Sequence, residues 1–181
     1  MPITGEGWEL LVERQVVHRH GDRGRTAGEY RVFRDGRATG LAGMMCESLG
    51  PGDNAVPDTG LRLAPGTYPL STHFGQRYRT IGYAATGIVG VEPMPGLLLT
   101  GTGNRTAIVL HPAHPPTLYL SSVGCLNPTR PLPASHDIDF FESRARVIAL
   151  IDSLRAFAPA AFVPAENTPI PGASVVIEGE P

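Results

Sequence analysis

The sequence is short of the charge that a nucleic acid partner would require. It contains no lysine, so all 15 of its basic residues are arginines, and its formal net charge is −2. Proteins that bind a phosphate backbone usually carry an excess of positive charge on one face. We therefore expect no nucleic acid partner.

Cysteine is also scarce, with Cys46 and Cys125 as the only two residues of this type. Two cysteines are too few for a disulfide scaffold, and no Cys-x-x-Cys or closely spaced His/Cys pair indicates a structural zinc site. We expect the two thiols not to be bonded to each other, and we expect neither a metal nor a cofactor.

Long apolar runs are missing as well. No stretch of 18 apolar residues occurs, and the opening MPITGEGWELLVERQ has neither the positive start nor the apolar segment of a secretory signal. These absences predict a soluble protein that is made in the cytoplasm without a signal peptide and has no membrane partner.

Glycine and proline, by contrast, are frequent and punctuate the first two thirds of the chain. Short apolar runs between such residues are typical of β-strands, and Asp35-Gly36 favours a tight hairpin turn after a strand with Tyr30 and Val32 on one face. The run from Thr106 to Leu110 predicts a strand that ends at His111. The 181 residues suit one domain, and we predict a mainly β fold over residues 8–132.

One segment has the periodicity of a helix, which we place at about residues 137–157 within a region 133–158 that packs on the β domain. Ser135 or Asp137 is a candidate N-cap. The predicted apolar stripe consists of Ile138, Phe141, Ala145, Ile148, Ile151 and Leu154. Residues 159–181 are predicted to form an extended or disordered tail, with an edge strand around Val175 to Ile177 as the alternative.

The stretch LHPAHPPTLYLSSVGCLNPT, residues 110–129, contains the strongest candidate for chemistry. Cys125 would need to become a thiolate to act as a nucleophile, and His111, 14 positions earlier, is a possible base. Gly124 would let the backbone approach a substrate carbonyl and turn its amides toward an oxyanion. The alternative is that Cys125 is only a small buried residue beside an unrelated histidine.

These residues resemble the signature of the L,D-transpeptidase (YkuD-like) catalytic domain. In that family a strand-end histidine is followed by a Ser/Thr-x-Gly-Cys element, here Ser122 to Cys125, with Asn or Arg two positions beyond, here Asn127. The chain is most similar to a poorly characterised phage-associated branch with a final IH…GC motif. Arg14, Cys46-Glu47 and APGTYPL (residues 64–70) extend this likeness over about residues 10–129, whereas Val123 and Pro112 stand where many members have histidine and glycine.

The resemblance implies cysteine-dependent acyl transfer or hydrolysis at peptide bonds of bacterial peptidoglycan stems. It implies Cys125 as nucleophile, His111 as base and the amides near Gly124 as oxyanion donors, with the carbonyl that follows the base orienting its ring. Ser122, Asn127 and His114 are candidate substrate-binding residues, and His114 is also the alternative base. Arg14, Glu47, Tyr68 and His73 are weaker candidates for lining the cleft.

Two other function classes stay open at this stage. The domain could bind cell wall without turnover, or it could be a structural component of a phage-like or injection particle. An enzyme made without a signal peptide would reach the bacterial cell wall or periplasm after lysis or injection, and the protein partner for that delivery is unknown.

Overall fold

The computed structural model describes residues 3–181 and consists mainly of β-strands. The strands are β1 (Trp8–His20), β2 (Arg23–Arg34), β3 (Arg37–Glu47), β4 (Gly66–Thr72), β5 (Tyr78–Arg79), β6 (Met94–Pro95), β7 (Leu97–Leu99), β8 (Val109–Leu110), β9 (Asn127–Thr129) and β10 (Pro169–Glu178). Helix α1 spans Phe140–Phe157, and a short 3-10 helix covers Pro159–Phe162. The prediction of a mainly β fold with one packed helix is confirmed.

Eight of the strands form one sheet in the order β8-β7-β4-β10-β1-β2-β3-β9, while β5 and β6 pair separately. Strands β1, β2 and β3 are an antiparallel meander. Its second turn is the predicted Asp35-Gly36 hairpin, in which both residues have positive φ, as the two central positions of a type I′ turn require.

The two ends of this sheet meet. Leu110, in β8, forms a parallel bridge with Leu126, the residue before β9, so the sheet is nearly closed. The bridge is held by hydrogen bonds from the Leu126 N–H to the Val109 carbonyl (3.1 Å) and from the His111 N–H to the Leu126 carbonyl (3.0 Å). We call this junction the seam, and it brings the two halves of the 110–129 stretch side by side.

Strand β10 corrects the prediction for residues 159–181. The strand predicted around Val175 to Ile177 is present, but it is an inner strand rather than an edge strand or a disordered tail, because it lies between β1, to which it is parallel, and β4, to which it is antiparallel. Val175, Val176 and Ile177 are all buried, as in a strand that is covered on both faces. The β domain therefore extends beyond residues 8–132.

Helix α1 begins three residues later than predicted, and its N-cap is Asp139 rather than Ser135 or Asp137. The Asp139 carboxylate accepts from the Glu142 N–H at 2.9 Å. The predicted apolar stripe is also partly wrong, since Phe141 and Ala145 are exposed. The buried face of the helix consists of Phe140, Ser143, Val147, Leu150, Ile151 and Leu154.

Helix α1 supports the seam through one buried hydroxyl. Ser143 Oγ donates to the Pro128 carbonyl at 2.6 Å and accepts from the Ala113 N–H at 3.1 Å, so it joins β9 to the loop after His111. Among the described residues, no helix combines the length and the hydropathy that crossing a bilayer needs.

Candidate active site

The seam places the predicted pair on one side of the sheet. Because Leu110 and Leu126 are paired and buried in the core, the residues next to them in sequence project to the opposite side. His111 and Cys125 both line a cleft of about 360 Å³ there. Its walls are Arg77, Tyr78, His111, His114, Thr117, Leu120, Ser121, Ser122, Val123 and Cys125.

His111 is the most buried of these lining side chains, with 2% of its surface exposed. Its Nδ1 lies 2.8 Å from the Pro112 carbonyl oxygen. A carbonyl can only accept, so Nδ1 carries the proton and Nε2 keeps its lone pair. The carbonyl after the proposed base thus orients the ring, although a proline occupies the position.

Tyr78 fixes the same ring from its face, and sequence reasoning missed this residue. The phenol stacks on His111 with ring centroids 4.1 Å apart and an angle of 22° between the planes. Its hydroxyl lies 2.9 Å from His114 Nε2. Tyr78 belongs to the two-residue strand β5, so only pairing with β6 places it here, and no spacing in the sequence indicates it.

The environment keeps both members of the pair uncharged. Burial lowers the pKa of His111 to about 3, against a smaller opposing effect of the Pro112 carbonyl. Burial also raises the pKa of the Cys125 thiol, which the Val109 N–H and the Arg105 charge only partly offset. The resting site therefore holds a thiol and a neutral imidazole rather than an ion pair.

The thiol itself is held away from His111 in the resting structure. Its Sγ accepts from the Val109 N–H at 3.4 Å and donates to the Ala107 carbonyl at 3.8 Å. No hydrogen bond joins Cys125 to His111 within residues 3–181, so the contact expected of the pair is not made in this structure. Both cysteines are free, and Cys46 is buried with its pKa raised by burial to about 12.

The turn before Cys125 is built by Ser122. Its hydroxyl donates to the Cys125 carbonyl at 2.6 Å and accepts from the Gly124 N–H at 2.9 Å. The Gly124 amide is therefore already bonded and does not face a substrate. The Cys125 N–H has no hydrogen-bond acceptor among the described residues.

Asn127 lies behind the cleft rather than in its wall. It is fully buried, its Nδ2 donates to the His111 carbonyl at 3.0 Å and its Oδ1 accepts from the Ser121 N–H at 3.0 Å. The amide thus ties the two sides of the seam together, and Asn127 does not line the cleft.

His114 lies in the cleft wall, as expected for a substrate-binding residue or an alternative base. Its ring is half-buried, its Nδ1 lies 3.0 Å from the Pro115 carbonyl and its Nε2 is occupied by the Tyr78 hydroxyl. Both ring nitrogens of His114 therefore already have hydrogen-bond partners.

The weaker candidates lie elsewhere. Arg14 and Glu47 form a buried ion pair, Tyr68 bonds Asn54 and the Ala64 carbonyl, and none of these residues lines the cleft. His73 does not line it either. In residues 3–181 no group of three His, Cys, Asp or Glu side chains is arranged to hold a metal ion.

Comparison with known protein families, with curated proteins and with solved structures found no match to this chain.

The pKa of His111 has a consequence for stability. Between pH 3 and pH 6.5 the unfolded chain binds a proton at this residue and the folded protein does not, so the free energy of unfolding rises with pH by up to about 1.4 kcal/mol per unit. This stabilisation is lost as the pH falls from 6.5 toward 3. Urea unfolding of His111→Gln should show a flatter dependence in that window.

The exposed His136→Gln variant is the control, since it removes a histidine outside the site. If His111→Gln follows the same pH dependence as the parent, the histidine is not held neutral by burial.

Proposed function

We propose that the cleft carries out cysteine-dependent acyl transfer or hydrolysis at peptide bonds of bacterial peptidoglycan stems. The observation that carries the proposal is His111, whose Nδ1 is bonded to the Pro112 carbonyl while its ring lines the same cleft as Cys125. A nucleophile, a base and a group that orients the base are the three parts that such chemistry requires. The peptidoglycan substrate rests on the resemblance of residues 111 to 127 to the L,D-transpeptidase signature.

The resting protonation states favour a step in which attack and proton transfer occur together. Cys125 Sγ forms a bond to the substrate carbonyl carbon while its proton passes to His111 Nε2. The carbonyl oxygen becomes negative and the Cys125 N–H donates to it. An imidazolium is unfavourable in this buried position, so the proton passes on to the leaving amine as the C–N bond breaks.

The product of this step is a thioester on Cys125, and its fate decides the reaction type. Attack by water regenerates the thiol and gives hydrolysis, whereas attack by a second amine gives transpeptidation. The cleft opens beside the exposed Val123 side chain, so both acceptors can reach the thioester.

The test is turnover of muropeptides that carry tetrapeptide or pentapeptide stems. The parent protein should change their mass profile, and Cys125→Ala should abolish that change while His111→Gln lowers the rate about 10²–10⁴-fold. Thiol alkylation is a weaker test, because the raised pKa of Cys125 predicts slow alkylation of the free protein near neutral pH.

Cys46→Ala is the matched control, because it removes the other thiol, which is buried outside the cleft. Its turnover per folded molecule should equal that of the parent. A Cys125→Ala variant that acts like the parent, or a parent that leaves all stems unchanged, would favour a binding or structural role.

A further inference from the structure

A second built site lies outside the cleft, around two buried arginines. The Arg14 and Arg62 side chains are 0% and 1% exposed, and both donate to the carboxylate of Glu180, which follows the last strand. The Gly52 N–H is a third donor, 3.4 Å from Glu180 Oε2. We call Arg14, Arg62 and the Gly52 amide the carboxylate cradle.

Arg14 does not depend on Glu180 for its position, and Arg62 has one side-chain partner besides Glu180 and the Pro181 carbonyl. Arg14 is held by two 2.8 Å bonds to Glu47 and by the Leu63 carbonyl. Arg62 Nη1 donates to Thr26 Oγ1 at 2.5 Å. Without Glu180 the cradle would therefore keep its donors. Its two guanidinium groups would then be balanced by only one carboxylate, that of Glu47.

The Glu180 side chain is 40% exposed, so it is much less buried than the two arginines that it binds. Burial would raise the pKa of its carboxyl, but the hydrogen bond and charge of Arg62, with the Gly52 amide and Arg14, lower it overall. The cradle is thus selective for an ionised carboxylate.

A cavity of about 760 Å³ opens directly on the cradle. Arg62 and Glu180 lie in its wall together with Leu49, Pro51 and Pro65. Apolar walls around a few convergent polar groups are typical of small-molecule sites. This cavity has room for the groups that a small carboxylic acid carries beyond its carboxylate.

We propose that the cradle is a binding site for the carboxylate of a small peptide-like molecule, and that Glu180 competes for it from within the same chain. The proposal does not depend on the function proposed for the cleft. An internal competitor acts at a fixed effective concentration, so an excess of an external ligand can displace it.

The test uses N-acetylglycine as the probe and N-acetylglycinamide, which lacks the charge, as its matched control. In Glu180→Ala the acid should bind saturably, shift the Gly52 amide resonance and raise the Tm, and the amide should do neither. The parent should bind the acid at least tenfold more weakly. Glu166→Ala removes an exposed carboxylate elsewhere and should behave like the parent.

Adding Arg62→Met to Glu180→Ala should abolish binding. If that double variant does not fold, Arg62→Lys replaces it and should weaken binding, because an ammonium group lacks the second fixed donor. The proposal is overturned if folded Glu180→Ala does not bind the acid, if it binds acid and amide alike, or if parent and Glu180→Ala bind with equal affinity.

Discussion

Replacing Arg14 with Met should destabilise the protein by about 3–5 kcal/mol, because the change leaves the Glu47 carboxylate buried without its cation. Glu47 is 1% exposed, and both of its oxygens accept from Arg14 at 2.8 Å. The pair joins β1 to the end of β3, so its loss affects the centre of the sheet. Urea unfolding at pH 7 measures the effect.

The double variant Arg14→Met with Glu47→Leu is the matched control, because it removes both charges together. It should cost clearly less than the sum of the two single variants, since an apolar pair leaves no buried charge. It should still be less stable than the parent, because the Leu63 carbonyl loses its donor. Additivity within about 0.5 kcal/mol would contradict the ion-pair argument.

Gly124→Ala should cost about 3–5 kcal/mol and remove the activity proposed for the cleft. Gly124 has φ of +125°, and a Cβ there would lie 2.1 Å from Arg105 Nη2. The backbone strain accounts for about 1–3 kcal/mol, and the displaced charged hydrogen bond accounts for about as much again. Thermal and urea unfolding give the stability, and muropeptide turnover gives the activity.

Arg105 is the reason why the effect extends beyond the turn. Its guanidinium is buried and donates to the Val123 carbonyl at 2.9 Å and to the carbonyls of Asp53, Leu61 and Arg62. It therefore ties the Ser122 to Cys125 turn to the 53–62 loop. Pushing it aside releases both segments.

Gly60→Ala separates strain from this clash. Gly60 also has a positive φ, +72°, but a Cβ there meets nothing within 4 Å. It should cost only about 1–2 kcal/mol and leave the cleft intact. Equal losses for Gly60→Ala and Gly124→Ala would show that contact with Arg105 does not matter.

Several features of the protein follow from short-range patterns in the sequence. Asp35-Gly36 specifies a hairpin turn because few residues adopt positive φ. The apolar run before His111 forms strand β8 because polar and proline residues bound it. Helix α1 follows from its 3.6-residue periodicity, but the exact cap does not, because Ser135, Asp137 and Asp139 are all suitable capping residues. Only the path of the chain, in which the Ile138 N–H bonds the Leu118 carbonyl, selects Asp139.

Long-range pairing decided the remaining features. Strand β10 inserts between β1 and β4 because both offer unpaired edges to an apolar run of three residues, and no local signal distinguishes an inner strand from an edge strand. Likewise, the sequence places Cys125 and His111 in one stretch, but only the Leu110–Leu126 bridge puts their side chains in one cleft.

The sequence and the tertiary structure also decide different aspects of the chemistry of the site. The sequence determines which groups are present, namely a thiol, an imidazole and a carbonyl after the histidine. The tertiary structure decides their state, because the pKa values of His111 and Cys125 depend on how much water the seam excludes, and Tyr78 reaches His111 only through the pairing of β5 with β6. Burial and strand pairing depend on contacts between residues that are distant along the chain, so no single stretch of sequence specifies them.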